Sequence, residues 1–374
     1  MDLEEKKYWA AFNVFEGIGP LRFKLLLDYF GTAEKAYNSS ESQLREIGLG
    51  EKLVDKFINF RKNIFDKDSY FLRLEKENIE VICSVEESYP KLLKEIEDRP
   101  PLIYVKIGQI GQIDPIGQIG GLFQKKAVAI VGTRKVTSYG RQVTEMITQG
   151  LVSVGLVIVS GLARGVDKIS HETTINNKGL TIAVLGCGLD LIYPPEHKGL
   201  AEQIVESDGA LVSEFPLGMQ AVPGNFPARN RIISGLSLGV VVTEAAEDSG
   251  SLITASDAAE QGREVFAVPG PITSPLSKGT SELIKKGAKL VSGVEDILDE
   301  LRIKTVGRVR GLRDMGGLGE EERKIVSLLE NENLQIDEII GRLEMESGKI
   351  GSLLSMMEIK GIIKNFGEGV YGLR

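Results

Sequence analysis

The sequence predicts an α/β protein with a doubly wound, mainly parallel sheet at its centre. A small helical domain precedes the sheet and a helix, helix, helix, hairpin segment follows it. Three observations carry this. Six short apolar runs between Ala127 and Val268 each end in glycine, serine or a carboxylate, and helical patterns separate most of them. Their β-branched residues show no polar alternation, which marks strands buried on both faces. Residues 1–68 and 318–374 lack such runs and space their apolar residues as helices do.

Residues 1–68 read as helices. Leu21 to Phe30 has apolar residues at helical spacing and stops at Gly31; before it, Gly17-Ile18-Gly19-Pro20 makes a tight turn with proline at the first helical position. Ile47-Gly48-Leu49-Gly50 repeats the idea before a second helix. That is helix-hairpin-helix order, in which turn N–H groups can meet a phosphate. Residues 69–301 form the core, entered through a helix from Ser69, a strand at Glu80 to Cys83 and the helix-breaking prolines 90, 100 and 101. The Gly-Gln-Ile repeat at 107–121 reads as a surface loop.

The six strands are Ala127–Val131, Leu156–Val159, Thr181–Leu185, Ala210–Val212, Gly239–Val242 and Val265–Val268. Residues 302–317 form a linker, and its stretch 302–313 holds five bases and no acids, a solvated basic tether. Residues 318–374 are in winged-helix order, with a turn at Gly367 to Gly369. This segment has seven bases against eleven acids, which favours protein contact over DNA contact.

Composition narrows the function. A net charge of -8 over 374 residues means that any polyanion site is a local basic pocket on an acidic body. Two distant cysteines, without a CxxC partner, indicate neither zinc nor a disulfide framework and fit a reduced cytoplasmic setting. The N-terminus lacks the apolar stretch of a signal peptide, and no run of apolar residues is long enough to span a membrane. Neither GxGxxG nor GxxxxGK[ST] occurs, so no dinucleotide or P-loop cofactor is expected.

In a doubly wound sheet, ligands bind beyond the carboxyl ends of the strands. Arg134 follows the first strand directly. Gly161 lies in Ser-Gly-Leu-Ala-Arg-Gly-Val-Asp after the second, where a backbone can come close to an anion. Ser249 and Ser251 open a helix whose free N–H groups suit a phosphate. Phe226, Arg229 and Arg231 lie in a stretch, Phe215 to Thr243, that holds no Asp or Glu and no other charge. An aromatic face beside guanidinium groups suits single-stranded nucleic acid, with bases stacked on the ring and phosphates on the arginines. Three arginines on phosphates predict a slope of log K against log salt near -2, at about 0.7 per phosphate.

The alternative is a nucleotide-binding or nucleotide-cleaving enzyme that uses Arg134, Glu214 and Glu244. Against it, His171 reads as structural and His197 as a loop residue; Cys187, between two glycines, reads as a small buried residue in a tight turn. No Ser-His-Asp, Cys-His or metal-ligand arrangement is visible, so no catalytic residues are assigned.

The motifs VGTR, SGLARGVD, GCGLDLIYPPEH, SEFPLG, FPARNRIISGLS, TEAAEDSGSLITA and REVFAVPG occur in the order, and over about 140 residues, in which the DprA/Smf family has them. The chain therefore resembles that family, whose three-part layout its end segments also match; the Gly-Gln-Ile repeat does not. The resemblance implies an extended Rossmann-like core between a SAM-like helical domain and a winged helix. It also implies single-stranded DNA binding, loading of the recombinase RecA in natural transformation and homodimerisation through the core, without catalysis. Its DNA pocket carried onto this chain comprises Arg134, Gly161, Phe226, Arg229, Arg231, Ser249 and Ser251, with Arg263 at the rim.

Overall fold

In a computed structural model of the chain, residues 1–108, 115–303, 319–329, 332–343, 345–359, 362–367 and 369–373 are described. They fall into two units, 1–304 and 305–374. The basic stretch 302–313 lies almost entirely outside the described residues.

The first unit is built on one nine-stranded sheet. Its strands are β1 (Ile79–Cys83), β2 (Leu102–Ile107), β3 (Ala127–Val131), β4 (Val157–Ser160), β5 (Thr181–Val184), β6 (Ala210–Ser213), β7 (Gly239–Val242), β8 (Glu264–Ala267) and β9 (Lys289–Leu290). The spatial order is β1-β2-β6-β5-β4-β3-β7-β8-β9. Strands β3 to β9 pair in parallel, as the unalternating apolar runs require, while β1–β2 and β2–β6 pair antiparallel. All five residues of β3 are buried, and so are all four of β4, β5, β6 and β7.

The chain winds outward from β3 through β4 and β5 to β6, then returns to the other side of β3 for β7. Strand order thus reverses between β3 and β7. Their carboxyl ends diverge into a crevice there, which is where such sheets take ligands.

The N-terminal helices begin where sequence places them. Pro20–Phe30 starts from Gly19 with proline in its first turn and ends at Gly31, whose φ of 82° closes the helix. These helices are not packed apart from the sheet. Trp9, Phe12, Phe23 and Phe57 share a continuous apolar cluster with Val81, Tyr104 and Leu185. Aromatic contacts knit that cluster, with Trp9 and Phe23 at 4.8 Å and Phe12 and Phe57 stacked at 5.1 Å.

The Gly-Gln-Ile repeat differs from its sequence reading. Residues 109–114 lie outside the described residues, but Pro115–Phe123 is a helix rather than a loop. Glycine is a poor helix former. Here Ile119 and Leu122 are buried in the core that also holds Ile107 of β2, so tertiary packing overrides propensity.

The second unit holds helices Glu320–Leu329, Ile336–Leu343 and Ser347–Ile359, with antiparallel strands β10 (Leu334–Gln335), β11 (Ile363–Asn365) and β12 (Val370–Leu373) in the order β10-β12-β11. Ile325, Ile339, Ile350, Leu354 and Met357 form its own core. Among the described residues of the whole chain, no helix is long and apolar enough to cross a membrane.

Candidate functional site

An open cleft of about 730 Å³ occupies the β3/β7 crevice. Its walls are the turn after β3, the residues after β7 and the helix Asn225–Gly235. Sequence builds the first wall by close backbone contact. Gly165 has φ 75°, and a Cβ there would stand 2.2 Å from the Thr133 carbonyl oxygen. Only glycine lets the turn after β4 press against Thr133 and Arg134. The Thr133 amide donates to the Glu244 carbonyl (2.7 Å), which ties this turn to the end of β7.

Arg134 is exposed and lines the cleft beside Lys135. Neither makes an ion pair among the described residues. The Arg134 guanidinium stands over the Phe226 ring at 5.8 Å, and Tyr193 lies 5.4 Å from the same ring. Phe226 is half-buried, so one aromatic wall of the cleft remains open to solvent.

The helix Ser251–Glu260 also borders the cleft; it starts after Gly250, and Ser249, Ser251 and Thr254 lie in the lining. The Ser249 and Ser251 hydroxyls bond each other at 2.8 Å across that end. The Ser251, Leu252 and Ile253 amides donate to the Ser249 hydroxyl (3.4 Å), the Ser249 carbonyl (3.0 Å) and the Gly250 carbonyl (3.2 Å), so the serine hydroxyls are the donors that this end offers.

Three of the arginines named from sequence divide into different roles. Arg229 lines the cleft but is only 4% exposed. Its Nη1 donates to the carbonyls of Gly161 (2.7 Å) and Val184. Burial lowers its pKa to about 10, with Asp167 opposing the shift. Asp167 in turn accepts from the amides of Gly161 (3.1 Å) and Ala163 (3.3 Å), so Arg229 and Asp167 brace one turn.

Arg231 corrects the sequence reading of a charge without nearby carboxylates. It faces away from the cleft, binds Glu214 through both Nη atoms (3.1 and 2.6 Å) and meets Asp98 through Nε (2.9 Å). Burial pushes the Glu214 carboxyl up, and Arg231 pulls it back. Arg263 likewise lies away from the cleft, bound to Glu95 (3.0 Å) and to the Leu92 carbonyl (2.8 Å). The partners of both arginines come from distant parts of the chain, which local composition does not reveal.

Gly161 packs face-on against the Arg229 guanidinium. A Cβ there would stand 2.7 Å from Cζ and from both Nη atoms. Two carbonyls pin that guanidinium, so it has little room to yield. Gly161→Ala is therefore expected to cost about 1–3 kcal/mol by overpacking. A urea melt with an unchanged midpoint would contradict this.

The groups suggested for enzymatic work are engaged elsewhere. Glu244 is 3% exposed and accepts from the Thr137 amide (2.9 Å) and hydroxyl (2.7 Å), holding the start of helix Ser138–Ser153. His171 is fully buried against the Thr181 hydroxyl (2.7 Å), and burial lowers its pKa to about 3. His197, expected in a loop, is buried in the short helix Pro195–His197 against the Leu162 carbonyl (2.8 Å). Burial raises the Cys187 thiol to about 11, which leaves it unreactive near neutrality. Among the described residues, no group of three or more His, Cys, Asp or Glu could hold a metal ion.

Fold and cleft together define an α/β protein with a large, mostly parallel sheet and an aromatic-walled crevice at its strand-order reversal. The chain belongs to the DprA/Smf family: the family model described as "DNA recombination-mediator protein A" matches residues 80–302. It is 34% identical over 392 residues to Protein Smf of Synechocystis, covering 96% of each chain. The crystal structure of DNA processing protein A from Streptococcus pneumoniae aligns with a TM-score of 0.63 and 34% identity, over 80% of this chain and 96% of that one. DNA processing protein A from Helicobacter pylori, solved to describe its single-stranded DNA binding mode, aligns with a TM-score of 0.51 and 30% identity, over 60% of this chain and 95% of that one.

Proposed function

We propose that this protein binds single-stranded DNA in the β3/β7 cleft and passes the strand to RecA in natural transformation and recombination. The observation that carries the reading is that the Arg134–Phe226–Tyr193 wall and the Ser249 and Ser251 hydroxyls border one cleft. Single strands offer unpaired bases for stacking and phosphates for donors, and this cleft supplies both. Arg134 and Lys135 take phosphate oxygens, with the Ser249 and Ser251 hydroxyls as further donors. Phe226, beside Tyr193, stacks a base. Arg229, with Gly161, acts as a braced cation in the cleft floor, while Arg231 and Arg263 support the fold. The single-stranded DNA binding mode described for the Helicobacter pylori relative supports the same reading here.

RecA handover and homodimerisation through the Rossmann-like core rest on family membership. The C-terminal unit, with three helices and a three-stranded sheet, serves in this reading as a winged-helix accessory that contacts protein.

Salt dependence tests the electrostatic part. With Arg134 and Lys135 as the free cations, the slope of log K against log salt falls near -1.4, at about 0.7 per phosphate. Neutralisation of a third phosphate by Arg231 would steepen it to about -2. Arg134→Ala should flatten the slope by about 0.7. A wild-type slope near zero would remove the electrostatic contribution.

A further inference from the structure

Two turns precede the two rings of the aromatic wall, and they touch each other. The first, Cys187 to Leu191, follows β5 and leads on to Tyr193. It is closed by the Leu191 amide on the Gly188 carbonyl (3.0 Å) and by the Cys187 thiol on the Leu191 carbonyl (3.2 Å). The second, Pro216 to Met219, follows β6 and leads on to Phe226. The Met219 amide closes it on the Pro216 carbonyl (3.1 Å), with Gly218 at φ 84°.

The turns are joined at two points. The Gly188 amide donates to the Met219 carbonyl (2.9 Å). The Gly218 amide donates to the Asp190 carboxylate and lies 2.9 and 3.0 Å from its two oxygens. A Cβ on Gly188 would stand 2.4 Å from the Pro216 carbonyl oxygen and 2.7 Å from Oδ1 of Asp190, so the turns are in direct contact.

We propose that Asp190 is the positioning residue of the aromatic wall. Its carboxylate clamps the turn before Phe226 to the turn before Tyr193 and so holds the two rings as one stacking surface. The inference rests on the reading of the cleft as a single-strand site. Three observations carry it.

The first is placement. Asp190 does not line the cleft, so it acts through the rings and not on the strand.

The second is continuity. Hydrogen bonds run from the clamped turn toward Phe226: Gln220 Nε2 donates to the Gly218 carbonyl (3.2 Å), and Asn225 Nδ2 donates to the Gln220 carbonyl (3.2 Å). Asn225 directly precedes Phe226. The Phe226 ring in turn lies on Gly186, at the head of the first turn, where a Cβ would meet ring carbon Cδ1 at 3.1 Å. A displacement of either turn therefore reaches the ring.

The third is the nature of the contact. The ion-pair partner of Asp190 is Arg73, 3.8 Å away and 60% exposed, a distance too long for a hydrogen bond and a setting in which water screens the charge. The backbone amide of Gly218 is the close partner, so the carboxylate serves by where its oxygens stand.

Affinity of the full chain for a labelled thymidine oligonucleotide is compared among wild type, Asp190→Ala, Asp190→Asn and Asp190→Glu, each with and without Phe226→Ala. Asp190→Ala is expected to lose about tenfold, the scale of one hydrogen bond to a charged acceptor. Asp190→Asn keeps an acceptor oxygen in place and should stay within about twofold of wild type. Asp190→Glu keeps the charge but carries its oxygens one methylene further out, and should lose nearly as much as Asp190→Ala. With Phe226→Ala present, each should cost less than about twofold, because the surface they position is already gone. Unchanged affinity in Asp190→Ala, equal losses with and without Phe226, or rescue by Asp190→Glu but not by Asp190→Asn overturns the positioning role and leaves the single-strand site standing. No binding by wild type removes both. Should Asp190→Ala fail to fold, as its melting curve will tell, the contrast between Asp190→Asn and Asp190→Glu decides the proposal.

Discussion

Arg231→Ala is expected to destabilise the protein by about 3–5 kcal/mol, the cost of stranding the buried Glu214 carboxylate. Glu214 is 13% exposed at its side chain and held by a two-point guanidinium contact, so no water-filled alternative replaces the lost donors. The sign of the pH dependence follows. Burial already raises Glu214, and loss of Arg231 raises it further. A carboxyl raised above its unfolded value contributes its stability at low pH and loses it as pH rises through the folded value. The variant should therefore be least stable above neutrality and recover toward acid pH relative to wild type. Urea melts at pH 5.5 and 8 measure this. Single-strand affinity per folded molecule should stay within about twofold, because Arg231 faces away from the cleft; a large affinity loss with unchanged stability would return Arg231 to the binding site.

Phe226→Ala produces the opposite pattern. The ring is half-buried at the cleft wall, between the Arg134 guanidinium and Tyr193. Stacking contributes about 1–3 kcal/mol per base, so affinity for single strands should fall by about one to two decades. Stability should change little, since the residue lies at the surface of the cleft rather than in either apolar core. Fluorescence anisotropy with a labelled oligonucleotide measures the loss. Unchanged affinity would remove the stacking role and with it the reason for an aromatic wall.

The arginine pair of helix Asn225–Gly235 shows what a sequence can and cannot reveal. Arg229 and Arg231 look equivalent in the string, two residues apart between apolar neighbours. On a helix that spacing sends side chains to different sides. One enters the cleft floor and the other finds Glu214 and Asp98, which belong to β6's end and to a distant loop. Tertiary pairing of this kind has no local signature. Arg263 follows the same logic with Glu95.

The sheet was legible because strands buried on both faces must be continuous apolar runs, and all six expected strands form. Strand order was not, since nothing local says that β7 returns beside β3. The helix at Pro115–Phe123 was hidden by its glycines, whose weak propensity is overcome by burial of Ile119 and Leu122. Tyr193 carried no signal of its own; its ring becomes meaningful only when the chain places it 5.4 Å from Phe226.

The most direct measurement of the central claim is binding of one labelled oligonucleotide, as a single strand and as a duplex, at two salt concentrations, by wild type and Arg134→Ala. Strong preference for the single strand, weakening with salt, is expected, with a loss of about tenfold in the variant, the cost of one charged phosphate contact. Equal binding of strand and duplex, or single-strand binding untouched by Arg134→Ala, would contradict it.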